Sequence, residues 1–323
     1  MVPPLRLSSV DGRTLAGAPP SRAVPATSVV EPVAEHEASA AHALLEVPRI
    51  FARPLAESDL APVPDGWRAG PPDFVGLGQG KAGTTWWYTL LEQHPQVVAN
   101  RAREKELHHF SHFDLRGPDA GAIDLYRRAF ARPDGAVCGD FTCTYLSHPL
   151  ALEYLFDAAP DARCLVMLRD PVERAVSALE MWHRRRTYFY ANEETPARKH
   201  LVDAISLFPE ALASSLVSDL LARAFELFGR DNVLVLQFEA ARRAPLPAFR
   251  RTLEHLGIDP SFEPKGAQRP VNAASDARVF EPPTGEVRER LVEFFRRDAE
   301  RTLELVGDFD PALWGREFAR RTG

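Results

Sequence analysis

The sequence predicts an α/β fold, a three-layer sandwich on a central, mainly parallel sheet, and three observations predict it. From Asp73 onward, short apolar runs alternate with amphipathic segments, the pattern of strands joined by crossover helices. Those runs are Leu-rich or β-branched and short, as suits strands covered on both faces. The first of them, in FVGLGQGKAGTT (residues 74–85), leads directly through a glycine-rich turn into a helix start.

Taken in order, the chain of 323 residues suits one domain with an extension better than two full domains. Residues 1–70 are rich in Pro, Ala, Ser and Val, with paired prolines at Pro3-Pro4 and Pro19-Pro20. That composition predicts a partly irregular N-terminal extension, with one short helix over 35–45 isolated by flanking prolines. Residues 71–323 form the expected α/β domain. Strands are expected at 74–77, 97–99, 164–168 (CLVML) and 233–238 (VLVLQF). Helices are expected at 84–93, 124–130, 150–158, 171–185, 214–227, 246–256 and 286–306, and no internal repeat is visible.

Hydrophobic residues at 45% and charged residues at 26% supply both a core and a solvated surface. A net charge of -6 gives no electrostatic reason to expect nucleic acid or an anionic membrane as partner, so any anion site must be local. Cys138, Cys143 and Cys164 are odd in number and lack zinc-site spacing, which points to a reducing, cytoplasmic setting. Prolines interrupt the N-terminus where a signal peptide needs an apolar run, and no stretch approaches ~18 consecutive apolar residues. Neither secretion nor a membrane span is expected.

In GLGQGKAGTTWW, glycines allow a tight turn that presents backbone N–H groups, Lys81 adds charge, and Thr84 and Thr85 add hydroxyls to the first helical turn. Three readings compete. A Walker A loop fails because three residues, not four, separate Gly76 from Gly80, and Ala82 follows Lys81. Gly78-x-Gly80-x-x-Gly83 fits a dinucleotide fingerprint, with Glu104 and Glu106 about 20 residues on, and would make the chain a Rossmann-type NAD(P)-dependent oxidoreductase. The third reading is a resemblance. GKAGTTWW is similar to the 5′-phosphosulfate-binding loop of sulfotransferases that use PAPS, 3′-phosphoadenosine 5′-phosphosulfate. The resemblance implies a P-loop-like sulfotransferase fold and contacts to PAPS from Lys81, Ala82, Gly83, Thr84, Thr85 and Trp86, with Lys81 on the bridging oxygen and the threonines on the 5′-phosphate.

A second segment, RDPVERAVSALEMWHRR, follows the strand CLVML. Arg169 falls at the C-terminal edge of the sheet, where open α/β sheets place ligand contacts, Pro171 opens a helix, and Ser177 lies two turns along it. An arginine and a hydroxyl so placed can converge on one phosphate. The segment resembles the same family's R-D-P-x-x-R-x-x-S, which implies that Arg169 and Ser177 bind the 3′-phosphate of PAPS. A dinucleotide reading leaves this second site unexplained.

Between the two lies REKELHHFSHF. Sulfuryl transfer needs a base beside the acceptor hydroxyl and positive charge at the leaving phosphate. Lys105-Glu106-Leu107-His108-His109-Phe110 resembles the K-E-x-H-F-F segment of the heparan-sulfate sulfotransferase branch, the branch closest in motif, although Ser111 stands where Asp often follows. That implies Glu106 as catalytic base with His108 beside it; in the cytosolic aryl branch a histidine is the base, which leaves His108 as the alternative. His109 and His112 form no recognisable metal motif, and no metal is expected. GDFTCTYLSHP (residues 139–149) resembles the family's G-D/E-x-S/T-P-x-Y-L stretch on the acceptor side, with Cys143 in place of the proline, and so nominates Thr142 and Tyr145. Lys265 and Arg269 stand where the family often carries a basic Lys-Gly-Arg loop. Residues 186–215 are the candidate acceptor-facing lid.

The expectation is a PAPS-dependent sulfotransferase acting on a hydroxyl of a small-molecule, lipid or saccharide acceptor. The alternatives are the NAD(P) oxidoreductase and a non-catalytic nucleotide-binding protein. The sequence does not address oligomeric state.

Overall fold

The computed structural model describes residues 53–189, 201–268, 280–315 and 317–318. The helix expected at 35–45, Arg269, and residues 190–200 of the expected lid lie outside them.

Within the described residues the chain runs through β1 (Arg68–Gly70), β2 (Phe74–Gly78), α1 (Thr84–Leu91), β3 (Val97–Val98), α2 (Ala120–Arg128), β4 (Phe130–Arg132), β5 (Val137–Asp140), α3 (Pro149–Ala158) and β6 (Arg163–Leu168). It continues through α4 (Pro171–Phe189), α5 (Leu201–Leu207), α6 (Glu210–Ala213), α7 (Ser218–Phe228), β7 (Val233–Gln237), α8 (Phe238–Arg243), α9 (Pro245–Leu256) and α10 (Gly285–Val306). Five strands form one sheet in the order β3-β5-β2-β6-β7, with every pairing parallel. A separate antiparallel pair joins β1 to β4.

Alternation along the strands divides the core between the two faces of the sheet. Val75, Leu77, Val166, Leu168, Val233 and Val235 point into one cluster, shared with buried residues of α2 to α7 and α10. Phe74, Leu165, Met167 and Leu236 point into the other, shared with Trp86, Trp87 and Leu91 of α1 and Phe249 and Leu253 of α9. The expected mixed α/β sandwich with a central parallel sheet is therefore the observed architecture.

Helix starts carry local signals. Pro149 and Pro245 occupy first-turn positions of α3 and α9. Asp170 Oδ1 accepts from the N–H of Val172 at 2.8 Å and of Glu173 at 3.1 Å, capping α4. Gly257 (φ 69°) ends α9 in the left-handed conformation.

Three strands were absent from the expected set: β1, β4 and β5. VCGD offers little strand signal because of Gly139, yet that glycine is what allows β5 into the sheet, since a Cβ there would lie 2.4 Å from the carbonyl oxygen of Phe74. The expected helix over 214–227 begins only at Ser218, where Asp298 of α10 accepts from the N–H groups of Val217 and Ser218 at 3.0 Å each. Residues 53–70 pack on the α/β body. Leu55 N–H donates to His109 Nδ1 at 3.1 Å, Arg53 forms a two-bond pair with Asp59 at 2.7 and 2.8 Å, and β1 pairs with β4.

Candidate active site

The C-terminal ends of β2, β5, β6 and β7 lie along one edge of the sheet, and each gives way to a segment rich in polar groups. β2 is central, and the loop after it is held from the side: Gln79 N–H donates to the Met167 carbonyl on β6 at 2.8 Å, and Gln79 Nε2 to the Ser214 carbonyl at 2.6 Å. The turn closes as Ala82 N–H donates to the Gln79 carbonyl at 3.1 Å. Lys81 has a positive φ of 71° and Gly83 one of 89°, so the chain enters α1 through a left-handed cap. Gly83 is required twice over there, since a Cβ would also lie 2.6 Å from Cε2 of Phe238. The first-turn N–H groups of α1 face the loop, and the helix carries no acidic residue in that turn, which suits an anion.

The second predicted segment meets the first. Arg169 follows β6, and its Nη1 donates to the carbonyl of Lys81 at 3.3 Å, across 88 residues of chain. Its side chain is 21% exposed, Glu173 stands 3.6 Å away, and its guanidinium lies 5.3 Å from the centre of the Phe238 ring. Burial lowers its pKa from the ordinary arginine value, so an incoming anion would relieve a partly desolvated cation. Ser177 sits half-buried on α4, the helix that begins beside Arg169.

The acidic segment lies on the other flank of β2. Phe141 N–H donates to the Lys105 carbonyl at 3.0 Å, laying residues 105–108 beside the end of β5. Glu106 is paired on both oxygens, Oε1 with Lys105 Nζ and Oε2 with His108 Nε2 at 3.1 Å. The second ring nitrogen of His108 lies 3.0 Å from Thr144 Oγ1. Burial opposes the charge on Glu106, but the hydrogen bond from His108 and the adjacent Lys105 outweigh it and hold the pKa at about 2. Glu106 keeps 21% of its side chain exposed while His108 keeps 4%, so Glu106 is the group of the pair that a second molecule can reach.

Asp140 fixes this arrangement from within. Fully buried at the end of β5, it accepts from the Thr142 hydroxyl at 2.7 Å, the Tyr126 hydroxyl at 3.1 Å and the Leu107 N–H at 3.4 Å. Thr142 in turn accepts from the His108 N–H at 3.2 Å. Thr142 and Tyr145 are both 0% exposed, so Thr142 supports His108 from beneath and Tyr145 packs in the core. His109 stacks on Tyr126 and bonds the Ala122 carbonyl at 3.1 Å, a packing role. Among the described residues no group of three or more His, Cys, Asp or Glu could hold a metal ion, and no helix is long and apolar enough to cross a membrane.

The structure thus gathers Lys81, Gly83, Thr84, Thr85 and Arg169 at one loop, and Glu106 with His108 on its flank. Ala82 and Trp86 are buried at 0% and 1% exposure; Trp86 packs edge-on against Trp87 and Phe238, and its Nε1 has no hydrogen-bond partner among the described residues. Lys265 is held elsewhere, because its backbone exchanges hydrogen bonds with the Gln93 side chain at 2.8 and 3.2 Å, beyond the far end of α1 from the loop.

Sequence reasoning gave no site role to Arg174, Phe238 or Cys143. Arg174 Nε donates to the Gly80 carbonyl at 2.9 Å and its Nη1 to Ala211 O, Ser214 Oγ and Ser215 Oγ at 2.8, 2.7 and 3.0 Å. It was visible as the second arginine of RDPVER. Cys143 lies beside Gly80, its Sγ 3.5 Å from where a Cβ would stand, and burial followed by the nearby Glu106 pushes its thiol up to about 12. The sheet order also bears on the dinucleotide reading: β5 separates β2 from β3, whereas in the Rossmann order the strand following the glycine loop is its immediate neighbour.

Residues 72–264 match the profile of the Sulfotransferase family. The chain is 28% identical over 138 residues to the membrane-associated sulfotransferase kil1 of Dictyostelium discoideum, covering 41% of this chain and 27% of that protein. It is 24% identical over 228 residues to bifunctional heparan sulfate N-deacetylase/N-sulfotransferase 4 of Mus musculus, covering 66% of this chain and 24% of that protein. The match therefore spans about a quarter of the length of each of these relatives. A solved sulfotransferase structure from Alicyclobacillus acidocaldarius superposes with a TM-score of 0.56 at 27% identity, covering 75% of this chain and 98% of that one.

Proposed function

Because this chain belongs to the sulfotransferase family, we propose that it moves a sulfuryl group from PAPS to a hydroxyl of a small-molecule, lipid or saccharide acceptor. One observation carries this reading: Arg169 bonds the Lys81 carbonyl, so a cation 88 residues away joins the helix-capping anion loop on the edge where Glu106 also stands. Lysine, guanidinium, hydroxyls and a helix N-terminus make a donor set suited to phosphate and sulfate, and unsuited to a neutral or cationic ligand.

In this reading the first-turn N–H groups of α1 with Thr84 and Thr85 hold the 5′-phosphosulfate, and Arg169 with Ser177 holds the 3′-phosphate. PAPS supplies the activated sulfur–oxygen bond. Glu106 takes the proton of the acceptor hydroxyl as that oxygen bonds to sulfur, and Lys81 neutralises the phosphate oxygen whose bond to sulfur breaks. His108 steadies Glu106, and Asp140 steadies His108 through Thr142. The three free cysteines fit a reducing, cytoplasmic setting, which belongs to the same proposal.

Adenosine 3′,5′-bisphosphate at millimolar concentration should raise the melting temperature, and Lys81→Ala and Arg169→Ala should remove the effect. No shift in the wild-type chain overturns the reading. Incubation with PAPS and a mixed acceptor library, followed by mass spectrometry, then identifies the acceptor. Normal bisphosphate binding with no sulfated product from any hydroxyl would make the chain a nucleotide-binding protein without transfer activity.

A further inference from the structure

Phe238 begins α8 directly at the end of β7, without an intervening loop, and its ring meets three groups at the rim of the anion loop. Gly83 lies against one edge, so close that a Cβ there would overlap the ring. The guanidinium of Arg169 stands 5.3 Å from the ring centre and that of Arg242 stands 5.7 Å from it. One buried aromatic ring therefore carries two cations next to the helix N-terminus.

This pairing has a cost without a ligand. Arg242 is among the charges that depress the pKa of Arg169, so the two guanidinium groups on this ring repel each other. A dianion shared between them converts that repulsion into two charge-assisted contacts. Arg242 is exposed, in the last turn of a six-residue helix, and its position is open to a ligand. Lys265 is not available for the same role while its backbone is anchored to Gln93, about 15 Å from Gly83 along the direction of α1.

We propose that Arg242 is a specificity-determining residue for the donor nucleotide, sharing with Arg169 the second phosphate of a nucleotide whose first phosphate rests on Gly83, Thr84 and Thr85. This rests on the donor reading above and goes beyond it by naming the group that separates a nucleotide phosphorylated at both ends from a 5′-monophosphate. Phe238 sets the spacing between the two guanidinium groups and, through Gly83, their position relative to the first phosphate.

Calorimetric titration of the full chain with adenosine 3′,5′-bisphosphate and with adenosine 5′-monophosphate tests it, using wild type, Arg242→Gln and Arg242→Lys. Wild type should prefer the bisphosphate. Arg242→Gln should reduce that preference about tenfold, leave monophosphate affinity within about twofold and leave the ligand-free melting temperature unchanged. Arg242→Lys should retain most of the preference. An unchanged preference in Arg242→Gln, or an equal loss for both ligands, overturns the assignment of Arg242 while leaving the donor reading intact. Wild-type binding of both ligands without preference overturns it as well. Wild-type binding of neither ligand overturns the donor reading itself, and Arg242 with it.

Discussion

Arg174 on α4 donates through Nε to the carbonyl of Gly80 at 2.9 Å, so a buried cation of the RDPVER segment fixes the turn that presents Lys81. Its remaining bonds go to Ala211, Ser214 and Ser215, and none of its four acceptors is a carboxylate. Burial brings its pKa down to about 10, which leaves it charged at neutral pH. Arg174→Met removes the cation and strands the Gly80 and Ala211 carbonyls. The expected cost is about 3 kcal/mol in urea unfolding. Arg174→Lys keeps the charge but cannot span the acceptors, and it should weaken bisphosphate binding more than it lowers stability.

Gly83→Ala meets two obstacles. The left-handed backbone costs a residue with a Cβ about 1–2 kcal/mol, and the added methyl must displace Phe238. The variant should lose at least that much stability by denaturant unfolding and should no longer be stabilised by the bisphosphate. A normal ligand-induced shift would remove Gly83 from the anion loop's requirements.

Glu106 yields a prediction in pH. Its pKa of about 2 lies below the ordinary carboxylate value because the charged form accepts hydrogen bonds, so wild-type kcat/KM should show no acid limb from Glu106 between pH 4 and 8. His108→Ala removes the largest of the influences that lower it and leaves the burial that raises it. The acid limb should therefore move upward, towards or past the ordinary glutamate value, and a pH profile of the variant that matches wild type contradicts the pairing. Glu106→Gln should abolish transfer at every pH while leaving bisphosphate binding unchanged.

Asp170 behaves in the opposite sense. Burial, with Glu173 and Glu239 adding to it, raises its pKa to about 6, so the folded chain holds a proton that the unfolded chain releases near pH 4. Stability from this group is present at low pH and lost as pH rises through that window. Asp170→Asn keeps an oxygen for the Val172 and Glu173 N–H groups and removes the titration. Between pH 4 and pH 7.5 wild type should lose about 2–3 kcal/mol relative to the variant, read by urea unfolding at both values. Parallel curves would show that Asp170 does not carry the proton.

Much of the fold was legible because β2, β6 and β7 are buried on both faces and therefore read as unbroken apolar runs. β5 was not, because close approach to Phe74 demands a glycine where strand propensity wants a branched side chain. At the site, Lys81, Arg169 and Glu106 were legible as charged residues at fixed positions in short motifs. Their nearness to one another was not, since the contact between Arg169 and Lys81 depends on β2 and β6 being neighbours. Phe238 and Arg242 carry no motif at all. Their placement follows from β7 turning straight into α8, a junction that no local spacing announces. Thr142 was nominated for the acceptor side by the resemblance of GDFTCTYLSHP to a family segment, yet Asp140 and His108 draw it fully inside.

The strand order has a consequence for how such an enzyme changes. Lys81 extends from the middle strand, Arg169 and Phe238 from the two strands on one side, and Glu106, His108 and Thr144 from segments beside β3 and β5 on the other. Each side has its own hydrogen-bond scaffold: Arg174 and Gln79 for one, Asp140 and Thr142 for the other. Under the proposed reading, substitutions confined to 100–112 act on the partner that receives the group and leave the grip on the anion in place, whereas Cys143, packed against Gly80, ties 141–148 to the anion loop. A lineage, or a directed library, can diversify along one half of the sheet while inheriting the other half unchanged.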